Sequence, residues 1–235
     1  MELWIKQATE FNIGLTSVQI EQFEQYKQML ILWNERMNLT AVRNPDHIGQ
    51  RHFLDSLLCA TVMGELNGRF VIDVGSGAGF PGLPLKLLFP EMNITLVESV
   101  KKKTRFLEDV VEALNLSDVQ IVAERAELLG QMPAHREKYD WAIARAVAAM
   151  PVLAEYLLPL CKIDGNMMAQ KGARAKEETA VAATAIKTLG GAPAQLIPIQ
   201  HSSQDEQSYF VVVKKVEKTE ARYPRRVGIP TKRPL

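Results

Sequence analysis

The sequence predicts a three-layer α/β fold, a mostly parallel sheet with helices on both faces, preceded by an N-terminal helical extension. Three observations predict it. Short apolar runs alternate with amphipathic stretches from Arg69 onward, the first run ends in a glycine-rich turn, and residues 1–66 carry helical periodicity alone. The expected organisation is an extension over 1–66, a sheet domain over 67–216 and a basic C-terminal arm over 217–235.

Each element follows from its residues. Thr16 and Gln19 have the spacing of a capping box, and Phe23, Tyr26, Leu30 and Trp33 then recur at three and four residues, so one apolar helix face is expected over about 17–36. A second helical stretch is expected over about 45–63, with Ile48, Leu54, Leu57 and Leu58 in the core. Phe70-Val71-Ile72-Asp73-Val74 reads as a buried parallel strand. A helix through Leu83–Leu88, stopped by Pro90, leads to a second strand at Ile94–Glu98. A helix over Lys103–Leu114 precedes a third strand at Val119–Val122. Tyr139–Arg145 is the fourth strand, Val147–Leu160 a helix, Asn166–Gln170 the fifth strand and Ala175–Leu189 a further helix. Leu196–Ile199 and Tyr209–Val213 read as an antiparallel return with a polar turn between them. Tyr223–Leu235, with three prolines and few apolar residues, reads as an extended arm rather than a packed element.

Composition narrows the class. A chain of 235 residues can bury its own core, and 28 basic against 27 acidic residues give a net charge of +1. That balance hides a polarity. From Lys214 onward eight basic residues face only Glu217 and Glu220, a net of +6, while residues 1–213 carry −5. Cys59 and Cys161 fit neither a disulfide framework nor a metal cluster and read as small buried residues. His47, His52, His135 and His201 lack metal-ligand spacing, so no metal is expected. Met-Glu-Leu-Trp lacks the basic start of a signal peptide and no run of 18 apolar residues occurs, so a cytoplasmic protein without a membrane span is expected.

The sharpest motif is Asp73-Val74-Gly75-Ser76-Gly77-Ala78-Gly79-Phe80-Pro81-Gly82, between a strand and a helix. Glycines at 75, 77 and 79 do not have the dinucleotide spacing G-x-G-x-x-G, which argues against an NAD-dependent oxidoreductase. Asp73 would repel a pyrophosphate but accept a sulfonium or an ammonium, which points to an adenosyl ligand with a cationic end. Glu98, closing the second strand, would sit at the same sheet edge, where a carboxylate suits the two hydroxyls of a ribose. Ala126 and Glu127 follow the third strand and could line an adenine pocket. Arg145 ends the fourth strand, suited to hold a carboxylate or a phosphate, or else simply to face water. His52 reads as a packed or hydrogen-bonded histidine rather than a catalyst. Lys101, Lys102, Lys103 and Arg105 form a basic cluster behind Glu98, either a phosphate-binding face or a solvated helix face. Trp33, Phe80 and Tyr223 are the aromatic candidates for stacking on a base.

The chain resembles the small-subunit ribosomal RNA methyltransferase G family, also called glucose-inhibited division protein B. The resemblance runs in order through Trp33-Asn34, Asn38-Leu39-Thr40, Arg51-His52, Asp55-Ser56-Leu57, the glycine motif through Leu85, Lys102-Lys103-Thr104-Arg105-Phe106-Leu107, Arg125-Ala126-Glu127, Ala144-Arg145-Ala146, Lys171-Gly172 and the closing Tyr223–Leu235. It implies a class I S-adenosylmethionine-dependent methyltransferase, Rossmann-like, that methylates N7 of a guanosine in the 530 loop of bacterial 16S rRNA. It further implies that Asp73, Gly75, Gly77, Gly79 and Phe80 hold the cofactor turn, that Glu98 takes the ribose, that Ala126 and Glu127 border the adenine, and that Arg145 lies near the transfer site. Asp73 and Arg145 are the candidates for a catalytic role. Lys101, Lys102, Lys103, Arg105, Lys171, Arg225, Arg226, Lys232 and Arg233 are the expected RNA contacts. The expected partner is 16S rRNA within the small subunit or an assembly intermediate, with no DNA, no membrane and a monomeric enzyme. A methyltransferase for another RNA, or a non-catalytic RNA-binding assembly factor, is the competing reading.

Overall fold

A computed structural model describes residues 3–199 and 207–235. The helices of the first part of the chain are α1 Leu3–Glu10, α2 Ser17–Met37, α3 Asp55–Leu57, α4 Ala60–Met63, α5 Gly82–Leu88 and α6 Lys101–Ala113; α7 Ala126–Leu129, α8 Met150–Leu157, α9 Ala175–Thr188 and α10 Ile229–Lys232 follow. The strands are β1 Phe70–Val74, β2 Asn93–Val97, β3 Val119–Val122, β4 Tyr139–Arg145, β5 Cys161–Lys171, β6 Gln195–Ile199 and β7 Ser208–Lys214, in the sheet order β3-β2-β1-β4-β5-β7-β6. The chain divides into two compact units, Met1–Arg69 with Ser76–Ala123, and Phe70–Gly75 with Glu124–Leu235.

In the first unit α2 begins on the expected capping box. The Thr16 hydroxyl accepts from the Gln19 backbone, and the Gln19 side chain accepts from the Thr16 backbone at 2.8 Å. The Gln19 amide nitrogen also donates to the carbonyl of Leu87 at 2.8 Å, where α5 runs out of its own partners. Phe23, Tyr26 and Leu30 are buried as the periodicity requires, and Trp33 meets Phe106 edge-on at 5.6 Å. The helix expected over 45–63 is instead broken into a 3₁₀ turn at Pro45–His47, a π-helical turn at Gly49–Leu54, α3 and α4. The cause lies far off in sequence. A Cβ at Gly49 would stand 2.2 Å from Cδ1 of Trp4, so the indole of α1 presses directly on this backbone, where the turn is wound wide. Trp4, Phe23 and Phe53 then close on one another with ring centroids 4.9–5.5 Å apart. Burying each such ring contributes about 1.5–3 kcal/mol. β2 and β3 pair in parallel, with Leu96 opposite Ile121.

In the second unit β1 lies parallel to β4, with Asp73 opposite Ile143, and β4 parallel to β5. β7 returns antiparallel to β5 and pairs antiparallel with β6, the return that the sequence suggested. The polar turn expected between β6 and β7 lies, apart from Gln207, outside the described residues. α8 is shorter than the expected 147–160 because Pro151 fixes its first turn and Ala149 before it is extended.

The expected extended arm is packed. Tyr223, Pro224 and Pro230 are buried, and the Arg136 guanidinium donates to the carbonyls of Thr219 at 2.6 Å and Tyr223 at 2.7 Å. Prolines suit such a segment, since each has little backbone freedom to lose and no N–H to satisfy.

Candidate functional site

The glycine turn is built as its composition requires. Gly75, Gly77 and Gly79 have φ of +74°, +59° and +94°, a region costly for any residue with a Cβ. The turn closes on itself where the N–H groups of Gly79 and Phe80 donate to the Ser76 carbonyl at 2.7 and 3.0 Å, and it is tied to β2 where Ser76 N–H donates to the Val97 carbonyl at 3.0 Å. Glu98, 6% exposed, faces the turn. Its Oε2 accepts from Gly77 N–H at 3.1 Å and its Oε1 from Val100 N–H at 2.8 Å. A carboxylate offers about four lone-pair sites, so both oxygens keep capacity for hydroxyl donors. A vicinal diol, as in a ribose, supplies two hydroxyl donors that fit this pair of acceptors.

The helical extension supports this turn from behind. The Tyr26 hydroxyl donates to the Ala78 carbonyl. Phe80 lies between two rings, stacked on His52 at 4.5 Å and on Tyr26 at 5.5 Å. His52 Nε2 in turn meets the Thr40 hydroxyl at 2.6 Å, so His52 is the packed, hydrogen-bonded residue expected. Phe80 and Tyr223 are 5% and 6% exposed, so neither offers an open face for a base, because both are already packed within the protein; Trp33 is half-buried. The hydroxyl of Tyr26 was not anticipated. A tyrosine among the apolar positions of α2 is the signal that a polar tip has a partner inside.

In the second unit Asp73 is fully buried within β1 and Arg145 closes the adjacent β4, half-buried. The next residue, Ala146, has φ +56°, an uncommon conformation for alanine, and turns the chain so that Val147 meets Gly75: a Cβ at 75 would lie 2.6 Å from Val147 Cγ2. Ala126 and Glu127 begin α7 and are buried. The Glu127 carboxylate accepts from Gly228 N–H at 3.0 Å and from the Tyr156 hydroxyl at 3.2 Å.

The expected RNA contacts divide. Lys101, Lys102 and Arg105 are exposed on the first turns of α6, Lys103 is half-buried, and Arg226, Lys232 and Arg233 are exposed. Lys171 and Arg225 are each engaged by a carboxylate of their own chain, at 2.6 Å from Glu178 and 2.6 Å from Glu155. No helix among the described residues is long and apolar enough to cross a membrane.

The strand order turns back between β1 and β4, and the glycine turn leaves β1 at that reversal, the place where open α/β sheets bind ligands. This is the fold of the class I methyltransferases. A solved 16S rRNA (adenine(1408)-N(1))-methyltransferase from Catenulisporales acidiphilia, with cosubstrate SAM, shares it: the TM-score is 0.54 over 68% of this chain and 91% of that one, at 13% identity. Residues 19–208 match the family described as GidB, rRNA small subunit methyltransferase G. The ribosomal RNA small subunit methyltransferase G of Roseiflexus castenholzii is 48% identical over the whole of both chains, and that of Desulforamulus reducens is 41% identical over 100% of this chain and 98% of its own. The chain belongs to the rRNA small subunit methyltransferase G family.

Proposed function

We propose that this protein transfers a methyl group from S-adenosylmethionine to N7 of a guanosine in the 530 loop of bacterial 16S rRNA. The observation that carries the reading is the Glu98 carboxylate set 3.1 Å from the Gly77 amide, in a chain of this family. The turn Asp73–Phe80, including Gly75, Gly77 and Gly79, cradles the cofactor. Glu98 takes the ribose hydroxyls, and Ala126 and Glu127 border the adenine. Asp73 and Arg145, at the ends of adjacent strands, set the field at the transfer site.

The cofactor supplies an electrophilic methyl group on a sulfonium. Guanine N7 carries an in-plane lone pair and no proton at neutral pH, so no residue of this chain has to act as a strong base. The work left to the protein is alignment and exclusion of water. A buried carboxylate such as Asp73 favours a neighbouring positive charge more than water does. Lys101, Lys102, Lys103 and Arg105, with Arg226, Lys232 and Arg233, contact phosphates of the structured RNA. The enzyme acts as a cytoplasmic monomer on the small subunit or an assembly intermediate, with residues 1–66 as its helical extension and 217–235 as its arm.

The test is transfer of labelled methyl to naked 16S rRNA and to intact small subunits from cells lacking the modification, with the product base identified after digestion. Label as 7-methylguanosine in the 530 loop is expected. Label in another position or another RNA would move the substrate assignment. RNA binding with no label, where a control methyltransferase works, would replace the enzyme by a non-catalytic assembly factor.

A further inference from the structure

We propose that the C-terminal segment from Tyr223 to Leu235 is a buttress of the cofactor site: it grips the α7 turn at both ends and thereby sets affinity for the adenosyl group. This rests on the reading that Ala126 and Glu127 border the adenine.

The start of α7 is held through Glu127. Its buried carboxylate takes the Gly228 N–H of the arm at 3.0 Å and the Tyr156 hydroxyl at 3.2 Å, and that hydroxyl is also 3.1 Å from the Thr231 hydroxyl of the arm. The end of α7 is held by packing and by a shared arginine. A Cβ at Gly130 would lie 2.6 Å from the Pro224 ring, and Arg136 Nη1 donates to both the Gly130 carbonyl and the Tyr223 carbonyl at 2.7 Å. Gln131 adds a donor to the Pro224 carbonyl at 2.8 Å.

The arm itself is pinned to α8. Glu155, fully buried, accepts from the Arg225 backbone at 2.8 Å and from its guanidinium at 2.9 Å through Nε and 2.6 Å through Nη2. A forked arginine on a fully buried carboxylate fixes direction as well as position. Glu155 and Tyr156 are neighbours on α8, so the anchor of the arm and the hydroxyl that joins it to Glu127 move as one. Remove the arm and Glu127 loses the Gly228 donor.

The test uses the full-length protein and S-adenosylhomocysteine as the probe, with affinity measured by calorimetry in the absence of RNA and 16S rRNA affinity measured across salt concentration. Arg225→Ala is expected to weaken S-adenosylhomocysteine about tenfold and to leave RNA affinity and its salt slope at the wild-type values. Arg226→Ala, an exposed neighbour, is expected to do the reverse. Tyr156→Phe keeps every charge and removes only the joining hydroxyl; it is expected to weaken the probe about threefold, and it decides the matter if Arg225→Ala does not fold. Wild-type probe affinity in Tyr156→Phe, or in folded Arg225→Ala, overturns the proposal. So does a salt slope lowered by about one in Arg225→Ala, the mark of a lost phosphate contact. Ala126→Trp separates the two readings: if it abolishes probe binding while the arm variants do not, only the buttress fails, and if it leaves binding intact while Glu98→Ala destroys it, the adenine assignment fails.

Discussion

The ammonium of Lys171 and the carboxylate of Glu178 lie 2.6 Å apart, and both also hold the loop that follows β4. Lys171 donates to the Ala148 carbonyl at 2.9 Å, and Glu178 accepts from Met150 N–H at 3.2 Å. Only Ala146 and Val147 lie between Arg145 and the first of these attachments, and the second follows two residues after it. Lys171→Met should therefore lower kcat by about tenfold, about 1.4 kcal/mol of transition-state alignment, with RNA affinity unchanged. Glu178→Gln, which still accepts from Met150, should be milder. Steady-state kinetics with RNA binding across salt checks this, and a lost phosphate contact in place of the kcat effect would count against it.

Gly75 is limited twice over, by its φ of +74° and by Val147 2.6 Å from where a Cβ would sit. Gly75→Trp should abolish binding of S-adenosylhomocysteine, and Gly75→Ala should weaken it. Adding Val147→Ala to Gly75→Ala should restore part of the loss, because it removes the collision and leaves the backbone strain of about 1–2 kcal/mol. Calorimetry on variants shown to be folded is the measurement; unaltered affinity in Gly75→Trp would displace the cofactor from this turn.

Lys215 is fully buried, and burial pulls its pKa from 10.5 down to about 8. It donates to the carbonyls of Leu158 at 2.9 Å and Leu189 at 3.0 Å, and to the Thr219 hydroxyl. Because the folded-state value is the lower one, between pH 8 and 10.5 the unfolded chain holds a proton that the folded chain has released. Raising the pH through this window thus favours the folded state. The stability of the wild type relative to Lys215→Met should climb there by up to about 1.4 kcal/mol per pH unit and stay level below pH 7, as read from urea unfolding. A level difference throughout would contradict it.

Cys59 and Cys161 are both fully buried, and burial pushes the Cys161 thiol up to about 12. Thiolate is the reactive form, so neither cysteine should react with an aromatic disulfide at pH 8 until the chain unfolds. Both should then react together at the denaturation midpoint, and a fast phase in native buffer would refute this.

Much of this architecture was legible because it is local. α2 announced itself through Thr16, Gln19 and the spacing of Phe23, Tyr26 and Leu30, and β1 through an apolar run that ends on glycine. The glycine turn and Glu98 were legible as a pair because strand ends bring them to one edge. The misread segments depend on distant partners. Nothing near Gly49 in sequence signals the indole of Trp4, and nothing in Tyr223–Leu235 signals that Glu155 is waiting, fully buried, for Arg225. Arg225 and Arg226 look alike in sequence, yet one is committed to a carboxylate and the other is exposed.

Gln19 serves two helices, closing the start of α2 with its oxygen and the end of α5 with its nitrogen. The glycine turn opens into α5, so the helix that continues the turn ends on a residue lent by the extension, just as the turn itself leans on the Tyr26 phenol. A protein engineer who pared this chain back to begin at its first strand would leave the α5 carbonyls and the Ala78 carbonyl to solvent. One who grafted the extension onto another methyltransferase would have to transplant those acceptors with it. The extension and the turn are a matched set, each holding groups that the other leaves open.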